Sequence, residues 1–315
     1  MTTYLIRRLG QAVLVVIGVT IVVFIISHLL PGGPARALLG PRVTPEQVHA
    51  FIVANGYNKP IFVQYWHYID NLLHGNLGYS YHYNQTVNAL LAQDLPKTAL
   101  LVGLAVALAI VVAIPLGILQ AFRRNRSIDY VLTGASFVGY SMPTFWLGIL
   151  LIMAFSVSLH LLPPEAPQGA TIGVVLQQPS ALILPVVTLA VVSIAAYSRF
   201  MRSSSVENLV QDYVRTVRAK GASEWRVLFH HVLRNSMIPI ITLIGLSLPA
   251  VVSGAIITES VFNYPGMGLL FWNAATTRDY PVLMGFTIVI AVATVVGNLL
   301  ADILYAVVDP RIRVG

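Results

Sequence analysis

Residues Thr98 to Phe122 read TALLVGLAVALAIVVAIPLGILQAF, 25 residues without one Asp, Glu, Lys or Arg. A bilayer core about 30 Å thick takes roughly 20 apolar residues of helix to cross, so this stretch is long enough to span it. Five others meet or approach that length: Leu9 to Leu30, Val131 to Leu162, Ala181 to Ser198, Met237 to Thr258, and Leu283 to Val308, the last interrupted only by Asp302. The whole chain matches them, with 57% hydrophobic and 10% charged residues among 315, against roughly 25% charged in soluble domains. Alternation of period two, the mark of a transmembrane barrel, is absent. Lipid offers backbone amides no partner, which leaves helices. The expectation is an all-α polytopic membrane protein with six transmembrane helices, a single transmembrane domain over residues 1–315.

The third stretch has 32 residues, about 48 Å of helix at 1.5 Å per residue, too long for one perpendicular crossing. Gly139, Tyr140, Ser141, Met142 and Pro143 mark where it should bend or break, because proline deletes a helical hydrogen bond and clashes with the preceding turn. Ser141, Met142 and Pro143 are therefore candidate pathway residues, with ordinary kinking as the simpler reading. The chain has no cysteine, which removes disulfides, thiolate metal sites and thiol nucleophiles. Arg7 and Arg8 before an apolar core resemble a signal peptide, but 22 residues exceed the usual h-region of 7 to 15, so an uncleaved first span is expected.

Assigning the connecting segments alternately to two sides places residues 1–8, 123–130, 199–236 and 309–315 together. Those segments hold 14 of the 19 basic residues. Basic residues near span ends stay cytoplasmic, so both termini and the 199–236 loop should face the cytosol, and the net charge of +7 is largely topology. Nucleic acid is not an expected partner, since the basic residues are dispersed over four short segments rather than clustered with aromatics for stacking. On the other side, residues 31–97 form a long external region. Thr44-Pro45-Glu46 looks like a helix start with proline in the first turn, and Val63 to Leu73 like a short interfacial helix with Tyr65, Trp66 and Tyr68 at headgroup level. His49, His67, His74 and His82 match no metal-ligand spacing.

The 199–236 loop is the most informative segment. Val206, Leu209, Val210, Tyr213, Val214 and Val217 recur at three- and four-residue intervals, one face of a helix. Gly221 ends it, Ser223 is a plausible N-cap with Glu224 in the first turn, and Trp225, Leu228, Phe229, Val232 and Leu233 share a side of a second helix. The apolar faces must pack on each other, on lipid or on another protein.

The string from Gln211 to Glu224, QDYVRTVRAKGASE, followed by His231-Val232-Leu233-Arg234-Asn235, resembles the coupling loop of ABC importer permeases, and in particular the first permease of the dipeptide and oligopeptide class. The resemblance continues through Tyr4 to Pro34, Gly75 to Ser80, Thr258 to Gly268 (TESVFNYPGMG), Arg278-Asp279-Tyr280-Pro281, and Asp309-Pro310-Arg311-Ile312-Arg313. It departs from the general importer pattern at Arg215-Thr216-Val217, where Glu-Ala-Ala is usual, and within the peptide class at Gly33 and Asn76, where Asp is common. It implies a type I importer permease fold and a permease subunit forming half of a translocation pathway for peptides, with nickel complexes or glutathione as other solutes of the class. It also implies a second permease subunit, two cytosolic ATPase subunits or domains that carry ATP and Mg, and an extracytoplasmic binding protein, in a bacterial inner membrane. No cofactor is expected on this chain, because it lacks the G-x-x-x-x-G-K-[ST] phosphate loop, and no enzymatic activity is expected of it.

By the same resemblance, Asp212, Tyr213, Arg215, Thr216, Arg218, Ala219, Lys220, Gly221, Ser223, Trp225 and Phe229 form the surface that meets the ATPase. Trp225, Phe229 and Tyr213 are the candidate anchors, since buried aromatics dominate interface energetics, and Arg215, Arg218 and Lys220 the polar rim. Glu259 and Asn263 are candidates for an external gate. Asp302 is the one ionisable group expected inside a span, a functional default because charge in lipid costs several kcal/mol, though an ion pair near the cytosolic exit is the favoured reading. A secondary transporter would need mid-membrane coupling charges or inverted repeats. An intramembrane hydrolase would need paired acids, a Ser-His pair or a metal site at one depth, and neither pattern is evident. A structural subunit of another complex is the third rival, which an ATPase pulled down with the chain would exclude.

Overall fold

A computed structural model describes residues 2–30, 33–39 and 43–308. The long helices follow the apolar stretches, and most of them overrun these. Helix α1 covers Thr2–Leu29, and α2 to α4 (Gly33–Leu39, Pro45–Ala54, Ile61–Leu73) make up the first part of the 31–97 region. Thr44 starts α3 as expected: its hydroxyl accepts from the Gln47 amide at 3.3 Å, and Gln47 Oε1 accepts from the Thr44 amide at 2.9 Å, a reciprocal capping box. The region also holds something periodicity missed, a two-residue antiparallel hairpin of β1 (Tyr79–Ser80) and β2 (Gln85–Thr86).

Helix α5 then runs from Val87 to Phe122, starting 11 residues before the apolar stretch. Helix α6 (Ser127–Ser141) and α7 (Thr144–Leu151), which continues as a π-helical turn over Ile152–Ser158, form the third span. They are bent by 103°. Met142 is extended, with ψ 125°, as a residue before proline prefers, so the break falls at Met142-Pro143. The fourth span, α9 (Pro179–Leu209), follows a short α8 (Ile172–Leu176).

The basic loop carries α10 (Asp212–Ala219), α11 (Glu224–Arg226), a π-helical turn over Val227–Val232, and α12 (Leu233–Ser236). Helix α13 (Ile238–Ser253) leaves it at a 43° bend. The fifth apolar stretch was expected to continue to Thr258, but the helix stops at Gly254, whose φ is +79°; a left-handed residue cannot continue a right-handed helix. Helices α14 (Ile256–Val261) and α15 (Met267–Thr277) then fold as a hairpin, and α16 (Tyr280–Val308) is the sixth span. Among the described residues, four helices are individually long and apolar enough to cross a membrane, and up to six spans result if each bent pair forms one.

The centre of the bundle is the α5–α9 pair. Ala105, Ala109, Ala113 and Gly117 recur every four residues on the buried face of α5, a small-residue stripe that lets two helices approach closely. The fit is tight at Gly117, where a Cβ would lie 2.8 Å from the Ser198 carbonyl of α9. On the side of the 33–97 region the core joins Val87, Leu90 and Leu91 of α5 to Met267, Leu270 and Ala274 of α15 and to Val282 and Phe286 of α16.

Candidate functional site

Two places collect the residues singled out by sequence, the basic loop and the α14–α15 hairpin. In the loop, the face expected to be one continuous helix from Val206 to Val217 is split. Helix α9 ends at Leu209, Val210 is 61% exposed, and α10 starts afresh at Asp212. The break redirects α10 so that Val214 meets Val227 and Val232, with Leu209, Tyr213, Val217 and Ala222 around them. The two apolar faces thus cover each other. Gly221 turns the chain between them with φ +80° and open space around its Cα, so its conformation rather than crowding requires glycine. Ser223 caps the second helix by accepting from the Arg226 amide at 3.4 Å. Arg218 clamps the turn, donating from Nε and Nη2 to the two Glu224 oxygens at 2.8 and 2.9 Å.

What remains outward is a different set from the one that packs. Trp225 is 71% exposed and lies against Phe229 with ring centroids 4.1 Å apart. Asp212, Arg215, Thr216, Ala219 and Lys220 are exposed beside them. Tyr213, expected as an outward anchor, is half-buried and donates to Asn208 Oδ1 at 2.9 Å, so it belongs to the hinge between α9 and α10. Leu228 points the other way, into a cluster with Ile118 of α5, Met201 of α9 and Ile240 of α13. The loop is therefore packed against three spans through Leu228.

Sequence reading missed the pair that ties α9 to α6 beside the loop. Arg202 of α9 donates Nε to Asp129 Oδ1 at 2.7 Å and Nη2 to Oδ2 at 2.8 Å, and the Asn125 amide donates to the same carboxylate at 3.0 Å. An acid at the start of α6 amid Arg123, Arg124 and Arg126 was the available signal.

In the hairpin, Glu259 is fully buried. Its carboxylate accepts from the Thr98 hydroxyl (3.0 Å) and from the amides of Ala255 (3.0 Å), Gly268 (2.7 Å) and Leu269 (3.1 Å). Two of those amides begin α15, where a carboxylate satisfies donors that the helix leaves free. Glu259 therefore organises the hairpin from within, and its oxygens are already engaged by the chain itself. Asn263 is exposed and left-handed at φ 49°, a conformation asparagine tolerates. Its carbonyl accepts from Gln168 Nε2 at 2.6 Å. Thr98 accepts from the Met267 amide at 2.8 Å, and the Tyr264 hydroxyl donates to the Lys97 carbonyl at 2.6 Å. Burial pushes the Tyr264 phenol well above its ordinary range. Lys97, itself buried, pairs with Asp94 at 2.7 Å. These α5 partners were not singled out by sequence because each is an ordinary residue at the edge of an apolar run.

The bend joins the same region: a Cβ on Gly148 of α7 would sit 3.2 Å from the Phe262 ring, while Ser141 and Pro143 are exposed and Met142 half-buried at the corner. Asp302 falls on α16, and its side chain lies outside the described residues, as do Asp309 to Arg313.

The matches to known proteins agree with this architecture. Residues 113–314 match the family described as "Binding-protein-dependent transport system inner membrane component", and residues 1–102 its N-terminal companion, "Binding-prot-dependent transport system membrane comp, N-term". The oligopeptide transport system permease protein AppB of Bacillus subtilis (strain 168) is 41% identical, over 99% of this chain and 100% of its own. The dipeptide transport system permease protein DppB of Escherichia coli (strain K12) is 36% identical over 99% of each. A chain of the MetNI methionine ABC transporter in inward-facing conformations superposes with a TM-score of 0.54 at 14% identity, over 70% of this chain and 96% of that one, a likeness of fold alone. A helical bundle of up to six spans with the type I importer permease fold, matched from end to end by such relatives, places the chain in the family of binding-protein-dependent transport system inner membrane components, as a multi-pass permease protein.

Proposed function

We propose that this chain is one of two permease subunits of an ATP-driven peptide importer, with the 199–236 loop in the cytosol as its point of contact with an ATPase. The observation that carries the coupling role is the division of labour within the loop. One aromatic pair, Trp225 and Phe229, is held outward while Val214, Val227 and Val232 close the loop's own core. A loop that only joined two spans would have no reason to fix large apolar rings in water. On a partner groove those rings are the anchor, and Arg215 and Lys220 the rim.

In this reading ATP and Mg reside on the partner ATPases, and the chain itself catalyses nothing. Closure of two ATPases displaces the loop, and Leu228 passes that displacement to α5, α9 and α13. Both termini are cytosolic by the distribution of basic residues. Solute reaches the other side on an extracytoplasmic binding protein. The relatives named for oligopeptide and dipeptide transport support peptides as the solute class. Ser141, Met142, Pro143 and Asn263 are candidate pathway or gate residues on this reading, and Asp302 a candidate intramembrane charge.

The test uses the whole complex in liposomes with its binding protein. Replacing Trp225 by Ala should abolish most binding-protein-stimulated ATP hydrolysis and uptake, with the folded permease still recovered. Undiminished stimulation and uptake in a complex carrying both Trp225→Ala and Phe229→Ala would remove the docking assignment. Competition of uptake by di- and oligopeptides against unrelated solutes checks the substrate class separately.

A further inference from the structure

Helix α4 (Ile61–Leu73) divides into three sectors rather than two. One sector packs on the first span: Tyr65 and Tyr68 lie against Phe24, with ring centroids 5.2 and 5.8 Å apart. Tyr65 Oη is 2.9 Å from Thr20 Oγ1, and Gln64 Oε1 is 2.9 Å from His28 Nε2. A second sector is polar and exposed, with His67, Asp70 and Asn71. Between them, at helical spacing, Phe62, Trp66 and Leu73 are 84%, 70% and 79% exposed.

The partners on α1 set the level of the helix. Phe24 and Thr20 lie six and ten residues inside Leu30, about 9 and 15 Å along the axis of a helix that must itself cross a core of about 30 Å. A helix tied to those residues cannot stand in water above the membrane. The Phe24 contact falls at the depth where interfacial helices bury an apolar face, about 5 to 10 Å into the boundary between headgroups and acyl chains, and the Tyr65 side chain reaches further in to Thr20. At that level α1 itself exposes Ile21, Ile25 and Leu29, so the apolar face of α4 continues the surface that the first span presents to lipid.

We infer that α4 is embedded in the leaflet on the side of the 33–97 region, with Phe62, Trp66 and Leu73 in contact with phospholipid acyl chains and His67 and Asp70 turned to the headgroups. The occupant of this face is lipid rather than protein. Three aromatic or aliphatic rings and chains cover it without a charged group among them, and its neighbours on α1 are already membrane-facing. The external region is thereby moored beside the exit of the first and last spans instead of being held only by the hairpin.

This chain has no cysteine, so with cysteines removed from the partner subunits each label reports one position. Single variants Phe62→Cys, Trp66→Cys, Leu73→Cys, His67→Cys and Asp70→Cys are made in the full permease complex, labelled with a nitroxide, and reconstituted in phosphatidylethanolamine and phosphatidylglycerol vesicles. Collision with oxygen should exceed collision with a water-soluble nickel chelate at 62, 66 and 73, and the logarithm of their ratio should change sign at 67 and 70. Free access of the chelate to 62, 66 and 73 would overturn the inference by placing the face in water, and exclusion of both reagents would do so by placing a protein there. Should labelling disturb the fold, Trp66 fluorescence in a chain with Trp146, Trp225 and Trp272 changed to Phe gives the same reading: quenching by lipids brominated on the chain supports embedding, and quenching by acrylamide alone refutes it.

Discussion

Arg202 and Asp129 stand 73 residues apart in sequence and form a two-pronged ion pair at 2.7 and 2.8 Å that ties α9 to the start of α6. Asp129 is almost wholly buried and Arg202 about one third exposed, so the pair is neither a surface bridge nor a sealed one. It lies at the basic side, where the Arg123–Arg126 turn and the loop base meet, and it limits how far those spans can slide against each other.

Replacing Asp129 by Ala should leave the Arg202 guanidinium without its partner and the Asn125 amide without an acceptor. Breaking a fully buried pair costs about 3 to 5 kcal/mol, and partial exposure of the arginine brings the expected loss to about 2 kcal/mol. Thermal unfolding of the purified complex in detergent reads this out, and Arg202→Lys, which keeps charge but loses the fork, should fall between the two.

Gly221 offers a variant that separates turn geometry from docking. Its positive φ disfavours a β-carbon by about 1 to 2 kcal/mol, while nothing around it would clash. Gly221→Asn should therefore be nearly silent in stimulated ATP hydrolysis, and Gly221→Val should lower it by distorting the approach of Ser223. Equal activity of the two would show that the left-handed turn is dispensable.

Gly254 is constrained in both ways. Its φ is +79°, and a Cβ there would lie 2.7 Å from the Gly268 amide nitrogen, one of the donors to Glu259. Gly254→Ala should push α15 off the carboxylate and raise hydrogen exchange across residues 255–270, with a loss of stability larger than that of Gly221→Ala.

Glu259→Gln should also loosen the hairpin. The side-chain amide has one acceptor oxygen, yet three backbone amides and the Thr98 hydroxyl converge on the carboxylate, so its NH2 group must face a donor. An unsatisfied buried group costs about 1 to 3 kcal/mol, and the matching fall in melting temperature is the measurement. Thr98→Val, which removes one donor to Glu259 and the acceptor for Met267, should weaken the same hairpin by a smaller amount.

The spans, the break at Pro143, the start of α3 at Thr44 and the turn at Gly221 were legible in the sequence, because each depends on local physics: apolar length, a missing amide, a side-chain cap, a residue free to adopt positive φ. The 14 basic residues on one set of segments are the basis of the proposed orientation. Which loop residues face inward was not legible. Period alone put Val210, Tyr213 and Val214 on one face, and only the break between α9 and α10, made so that Val214 could reach Val227 and Val232, exposed the first and buried the last. Glu259 is the sharpest case: the sequence offered it as a candidate for an external gate, and its burial became affordable only when Thr98, 161 residues away, and the start of α15 were brought to it. Sequence determined what must cross the membrane, since transfer free energy is a sum over neighbouring residues. Tertiary structure decided which polar groups hold the crossings together, since a hydrogen bond between distant residues exists only once the chain has brought them within 3 Å or so.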